Sequence, residues 1–176
     1  MALDASPDAL SAGAWRAKRA RVGNTAFLVE AVERIPNELA GLANELTIHF
    51  PWGSLLRGLI AADERVLSPL AKLLQPDGEL RLLLSATRRD GYSGLAPDDL
   101  SALARSYARH ELVLTEARVA TRTDIAASRS SWAKRLGLGR PVVFARYSRR
   151  SSRSGFTSAG TASAAHVVHS TANRPS

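Results

Sequence analysis

Cysteine is absent from the chain, so no disulfide staples the fold and no thiolate acts as a nucleophile. The commonest ligand of structural zinc is missing with it, although four histidines remain. No apolar run reaches the roughly 18 residues that a membrane-spanning helix needs. The N-terminus carries an acidic residue where a secretory signal would carry basic ones. A cytosolic protein with no membrane attachment is the expectation. Tryptophan is scarce, with three copies. Any chemistry must come from oxygen, nitrogen or a bound cofactor.

What is present is one domain's worth of chain: 176 residues, 45% of them hydrophobic, enough for one core. The formal net charge is +8, with a pI near 10.9. The excess is clustered at Arg16, Lys18, Arg19 and Arg21, at Lys134, Arg135 and Arg140, and at Arg146, Arg149, Arg150 and Arg153. Such clusters neutralise phosphates and release counterions, which favours a nucleic-acid partner. The plainer alternative is that an Ala- and Arg-rich composition simply solvates the surface.

Short β-type runs alternate with helix-type runs, the signature of an α/β sheet. After the short apolar start at Leu3, "SPDALSAGAWRAKRAR" reads as a helix: Ser6 caps it, Pro7 suits its first turn, Asp8 its positive end, and Arg19 and Arg21 the opposite end. Strands are predicted over "TAFLVEA", "ELTIHF", "ELRLLLSA", "ELVLTEARVA" and "PVVFARYS", the last two as an antiparallel pair. Helices are predicted over "GSLLRGLIAA", "SPLAKLLQ" and the segment opened by Pro97, whose Leu100, Leu103, Ala104 and Tyr107 fit a 3.6-residue period. Pro76-Asp77-Gly78 predicts a turn before the third of these strands, "ELRLLLSA". From Ser148 to Ser176 the composition turns to Ser, Thr, Ala and Gly, too poor in large apolar groups to offset ordering entropy. The division is therefore a domain over 1–147 and a disordered tail over 148–176.

In α/β sheets ligands sit at the carboxyl ends of strands, and Asp4 falls at such an end. A short carboxylate there can accept hydrogen bonds from both hydroxyls of a ribose, although Asp followed by Ser-Pro-Asp is also an ordinary helix start. Glu33, just past the predicted strand "TAFLVEA", borders an adenine site or is a solvated loop residue. In Phe50-Pro51-Trp52-Gly53, Pro51 removes a donor and ends pairing while Gly53 permits a tight turn. Trp52 then projects above the sheet, where a flat ring can stack on a base, or else it packs under a loop. Trp132, in "SRSSWAKRLGLGR", sits beside Lys134, Arg135 and Arg140, the interleaving of aromatics and cations that holds extruded nucleotides. As an alternative, Trp132 and Leu136 dock an amphipathic helix.

Taken together, "FPWGSLLRGL" and "SSWAKRLGLGR", with "LDASPDAL" and "FLVEAVERIP", resemble the aminoglycoside-resistance methyltransferases that modify N1 of a decoding-site adenine in small-subunit ribosomal RNA. The resemblance runs from about Leu3 to about Tyr147. It implies a Rossmann-like class I methyltransferase fold and S-adenosyl-L-methionine as cofactor. As partner it implies 16S ribosomal RNA within the small ribosomal subunit, approached by a monomer. Carried over, it assigns Asp4 to the cofactor ribose, Ala31, Val32 and Glu33 to the neighbourhood of its adenine, and Ser54 to its vicinity. Trp52 and Trp132 would sandwich the target adenine, and Ser130, Lys134, Arg135 and Arg140 would orient the base or grip the RNA.

The family begins with a strand and a glycine-rich loop that the chain does not display, since Met1-Ala2-Leu3-Asp4 matches the family's second strand. With the central strand gone, two neighbouring strands would carry unpaired edges at about 1–3 kcal/mol per buried group, so instability, rearrangement or aggregation is expected. Three explanations stay open: an upstream start, a decaying gene, or edges rejoined by a different strand pairing. A non-catalytic RNA-binding relic and a small-molecule methyltransferase remain as alternative functions.

Overall fold

The structure, a computed structural model, describes residues 1–92, 94–128, 141–151 and 164–168, the last of these by their backbone. In chain order the elements are β1 (Ala2–Asp4), α1 (Pro7–Arg19), β2 (Phe27–Val29), β3 (Ala43–His49), α2 (Gly53–Ile60), α3 (Glu64–Leu73) and β4 (Leu74–Leu84). They continue with α4 (Pro97–Ala102), α5 (Ala104–Ala108), β5 (Leu112–Val119), α6 (Arg122–Ala127), β6 (Val143–Arg149) and β7 (Ala164–Val168). The seven strands form one sheet in the order β2-β1-β7-β3-β4-β6-β5. β6 runs antiparallel to both β4 and β5, while the other ladders are parallel.

Period-2 patterning explains which face each strand buries. On β3, Leu46 and Ile48 are fully buried, while Glu45, Thr47 and His49 face the other way. On β4, Leu80, Leu82 and Leu84 repeat the pattern. These side chains pack with Leu56 and Leu59 of α2, Leu67 and Leu70 of α3, and Leu100 and Tyr107 of α4 and α5 in one core. Tyr107 and Tyr147 are both fully buried and stack with ring centroids 4.4 Å apart at 15°. The Tyr107 hydroxyl donates to the Leu59 carbonyl at 2.9 Å. Burial pushes both phenols well above their ordinary pKa, so they remain neutral at any physiological pH.

Several expectations are met and several are corrected. α1 starts with Pro7 at its first turn and ends with Arg16, Lys18 and Arg19. Ser6 occupies the capping position without making a side-chain cap; its backbone N–H instead donates to Asp4 Oδ1 at 2.8 Å. α3 begins four residues before Ser68, capped by the Asp63 carboxylate on the Arg65 N–H. Pro76-Asp77-Gly78 does not precede β4 but lies within it. Opposite β3 the register jumps from Ala43↔Leu74 to Glu45↔Glu79, so the turn residues bulge out and the strand resumes. Gly78 makes this possible, because a Cβ there would stand 2.8 Å from the Gln75 carbonyl oxygen.

The tail differs as well. β6 continues past Ser148 to Arg149, and Ala164–Val168, inside the segment expected to be disordered, form β7 between β1 and β3. Two unpaired central edges were the expectation for a sheet lacking its middle strand. β7 fills that gap. Residues 152–163 and 169–176 lie outside the described residues.

Candidate functional site at the carboxyl rim of the sheet

The chain leaves β1 toward β2 on one side of the sheet and returns to build β3 and β4 on the other, so the order reverses between β1 and β3. At such a switch point the connections diverge and a crevice opens above the carboxyl ends. Asp4 ends β1 there, 4% exposed. Its backbone carbonyl accepts from Glu30 N–H at 3.0 Å, tying the end of β2 to the end of β1.

Glu30 escaped the sequence reading, which singled out Glu33. The Glu30 carboxylate accepts from Ala31 N–H at 2.9 Å and from Arg34 Nε at 2.8 Å. These bonds, the Ala31 one foremost, hold its pKa below the ordinary carboxylate value. They also fix the turn that carries the chain through Ala31 and Val32 after β2. Val32 is buried in the core, whereas Glu33 is exposed. Glu33 lines a different groove, of about 240 Å³, with Ile35, Pro36, Pro69 and Lys72. Asp4 and Ala31 are thus brought together; Glu33 points elsewhere. A carboxylate directly after a strand and four residues before an arginine was the signal available for Glu30.

At the end of β3 the backbone turns sharply. Phe50 takes φ +51° and Gly53 φ +62° on either side of Pro51 and Trp52. A bulky residue in the left-handed region costs about 1–3 kcal/mol and persists only when its surroundings enforce it. Here Phe50 is 6% exposed and packs with Leu83 and Val142, flanked by Ala120, Ile125 and Phe144, and its N–H donates to the Leu83 carbonyl at 2.8 Å. With Phe50 anchored inward, Trp52 is carried outward to the first turn of α2, 44% exposed. Ser54, exposed, follows in the same turn.

The same apolar cluster roots the segment that carries Trp132. β5 runs parallel to β3 and β4 and ends at Val119, level with the start of β6 at Val143. Residues 120–142 therefore leave and rejoin the sheet at its carboxyl rim. Ile125, before residues 129–140, and Val142, after them, both pack around Phe50. Ser85 Oγ donates to the Pro141 carbonyl at 3.1 Å. Ser130, Trp132, Lys134, Arg135 and Arg140 themselves lie outside the described residues.

α6 was not foreseen either. It is held by a capping box in which Thr121 and Asp124 bond each other's backbone and by Arg118, whose guanidinium meets Asp124 at 2.5 and 3.1 Å. Arg118 also pairs with Glu116 at 2.6 Å and lies over the Phe144 ring at 4.3 Å. From there an ion ladder crosses the sheet through Arg146 to Glu116 at 2.7 Å, Glu79, Arg81 and Glu45. The Arg118 guanidinium holds the Asp124 carboxyl well below the usual carboxylate range. A carboxylate whose folded pKa is depressed contributes stability that is full above its unfolded pKa of about 4 and is lost as pH falls toward the folded value. Asp124→Asn should therefore flatten the acid limb: between about pH 5 and pH 3 the urea midpoint of the native chain should fall more steeply than that of the variant.

The ladder also corrects one basic cluster. Arg146 is paired with Glu116 and Glu79, and Arg149 with Glu111 at 3.1 Å and the Leu74 carbonyl. These two cations are structural cross-braces rather than free phosphate ligands. Arg16, Lys18, Arg19 and Arg21 are all exposed at the end of α1 and its following turn. Among the described residues no group of acidic residues and histidines is arranged to hold a metal, and no helix is long and apolar enough to cross a membrane.

Comparison with known proteins gives consistent matches. Residues 1–150 match the family described as NpmA: 16S rRNA (adenine(1408)-N(1))-methyltransferase. The 16S rRNA (adenine(1408)-N(1))-methyltransferase of Escherichia coli is 30% identical over 139 residues, which are 72% of this chain and 63% of that protein. The chain thus spans just under two thirds of the length of that relative. Among solved structures, a variant of the 16S rRNA (adenine(1408)-N(1))-methyltransferase from Catenulisporales acidiphilia with its cosubstrate SAM superposes with a TM-score of 0.73. It is 26% identical, and the match covers 88% of this chain and 76% of that one. The antibiotic-resistance methyltransferase Kmr gives a TM-score of 0.66 at 29% identity, covering 84% and 74%.

Proposed function

The chain belongs to the 16S rRNA (adenine(1408)-N(1))-methyltransferase family, and from that premise we propose that it binds S-adenosyl-L-methionine at the switch-point crevice and methylates N1 of a decoding-site adenine in 16S ribosomal RNA. In this reading it works as a cytoplasmic monomer on the small ribosomal subunit, and the modification gives aminoglycoside resistance. The observation that carries the reading is the shared anchoring of Phe50, Ile125 and Val142 at the carboxyl rim. It supports a reading in which the turn presenting Trp52 and both flanks of the segment bearing Trp132 border one crevice together with Asp4.

The residues present fit the cofactor. A short carboxylate, 4% exposed at the tip of a parallel strand, is the group that takes two ribose hydroxyls. Ala31 and the backbone of Val32 would border an adenine beside it, and Ser54, exposed in the first turn of α2, would lie near the cofactor. Glu33, in its own groove, is the weakest member of the set. When bound, S-adenosyl-L-methionine supplies an electrophilic methyl group. The protein's task is then positioning, because the N1 lone pair of a neutral adenine needs no base to expose it. Trp52 and Trp132 would stack on the two faces of the flipped adenine, Ser130 would orient its edge, and Lys134, Arg135 and Arg140 would bind neighbouring phosphates.

The test is incubation of the chain with small ribosomal subunits and labelled S-adenosyl-L-methionine. The expected result is one methyl group on the decoding-site adenine, detected as a reverse-transcription stop. Arg135→Ala with Arg140→Ala should weaken methylation steeply and reduce the slope of log activity against log salt by about 2, near 0.9 for each lost phosphate contact. Absence of both cofactor binding by calorimetry and methylation would leave an RNA-binding protein without catalysis.

A further inference from the structure

β7 lies outside the residues that match the family, 1–150, yet it occupies the centre of the sheet. Its register places His166 opposite Ala2 of β1 on one side and opposite Thr47 of β3 on the other. β1 and β3 do not pair with each other, so among the described strands every backbone ladder between the β2-β1 half and the β3-β4-β6-β5 half runs through β7. Lone edges facing each other in the middle of a sheet would each carry a row of unsatisfied donors and acceptors. One strand inserted between them satisfies both rows.

The connection is sterically easy. Ser148 of β6 stands level with Glu79, Glu79 with Glu45, and Glu45 with Ala164. The distance to cross is therefore about three strand spacings, or ~14 Å. Residues 150–163 can span up to ~46 Å when extended. β6 ends at the same end of the sheet at which β7 begins, so no crossover is needed and no handedness rule is at stake. At its other end β7 finishes with Val168 opposite His49, between Asp4 and the Phe50-Pro51-Trp52 turn, at the floor of the crevice.

We propose that residues 164–168 are a structural strand of this protein, supplied by its own C-terminal segment, that joins the two half-sheets and floors the ligand crevice. The sheet assignment rests on register alone; the ligand to which the floor belongs rests on the methyl-donor reading above.

The absence of cysteine makes the test clean, since any disulfide in a double-cysteine variant is the engineered one. Three full-length variants are needed: Ala2→Cys with His166→Cys, Thr47→Cys with His166→Cys, and Ala2→Cys with Thr47→Cys. Neighbouring strands bring Cα atoms to about 4.8 Å, within disulfide range, whereas positions two strands apart stand at ~9.6 Å, beyond it. Mild oxidation should cross-link the first two pairs within one chain and leave the third reduced. Cross-linking of the Ala2 and Thr47 pair would mean that β1 closes directly on β3 and would overturn the proposal. So would failure of both His166 pairs, or their appearance only in dimers.

The oxidised Thr47 and His166 variant should then bind S-adenosyl-L-methionine within about threefold of its reduced form. A loss beyond about tenfold on oxidation would overturn the assignment of β7 to the crevice floor. If the disulfides form as expected and neither form binds the cofactor, the strand assignment stands and the methyl-donor reading falls.

Discussion

Trp52→Ala should reduce methylation of small ribosomal subunits by about 10- to 100-fold while leaving the affinity for S-adenosyl-L-methionine within about threefold of the native value. Stacking of a base on an aromatic ring contributes about 1–3 kcal/mol, and each ~1.4 kcal/mol lost from the transition state is a factor of ten in rate. The substitution should not disturb the fold. The indole is 44% exposed and makes no side-chain cap on α2. The turn is set by the positive φ of Phe50 and Gly53 and by the burial of Phe50. Trp52→Phe, which keeps a flat ring, should retain most of the activity. Should Trp52→Ala methylate at the native rate, the ring is no part of the base site; should it also lose cofactor affinity, its role is in shaping the crevice.

Tyr107→Ala is expected to be the most damaging single change to stability, at about 3–5 kcal/mol, the range for deleting a buried aromatic. That is a large part of the 5–15 kcal/mol typical of a whole domain. Tyr107 is fully enclosed, stacks on Tyr147 and reaches from α5 to the end of α2 through its hydroxyl. Removing it opens a cavity where two helices meet β6. Tyr107→Phe isolates the hydrogen bond and should cost about 0.5–1.5 kcal/mol, since the Leu59 carbonyl keeps a second donor in Ala62 N–H at 3.2 Å. Urea unfolding monitored by circular dichroism checks both, with an unchanged denaturant slope as the sign that only the native state is affected. A cost below about 1 kcal/mol for Tyr107→Ala would show that the core collapses around the gap or that the ring is not buried in solution.

The strands were legible wherever a run alternated or stayed apolar. "ELTIHF" and "ELRLLL" reappear in β3 and β4, because a half-buried strand imposes a period of two on its own side chains. Capping chemistry was legible only in part. Pro7 and Asp8 marked the start of α1 correctly, but the Ser6 side chain makes no cap, and Asp4 accepts from the Ser6 backbone N–H just outside the helix. Pro76-Asp77-Gly78 was a correct local signal with the wrong consequence. The residues do turn, with Asp77 at φ +62°, but β3 supplies pairing on both sides of the bulge, so the strand continues through it.

The position of Asp4 at a strand tip, the outward placement of Trp52 and the family were readable because each depended on local chemistry: a carboxylate after a short apolar run, an aromatic after Pro, and a motif carried over many residues. Glu30 and α6 were not, because their roles come from partners, Arg34 in one case and Arg118 in the other, whose approach is decided by the folded chain. The same holds for Arg146 and Arg149. In sequence they are two more positive charges beside Arg150 and Arg153, and only the register of β4, β5 and β6 brings Glu79, Glu116 and Glu111 against them.

By itself the sequence determined the class of fold, the place along the chain of five of the described strands, the basic character and the aromatic turn at Phe50-Pro51-Trp52-Gly53, since periodicity, charge and backbone restriction are properties of short stretches. Tertiary structure decided that Ala164–Val168, set in a run of small polar residues, stand at the centre of the sheet. Whether five residues of modest β propensity form a strand depends on what lies to either side, and here two open strand edges offered every backbone donor and acceptor a partner.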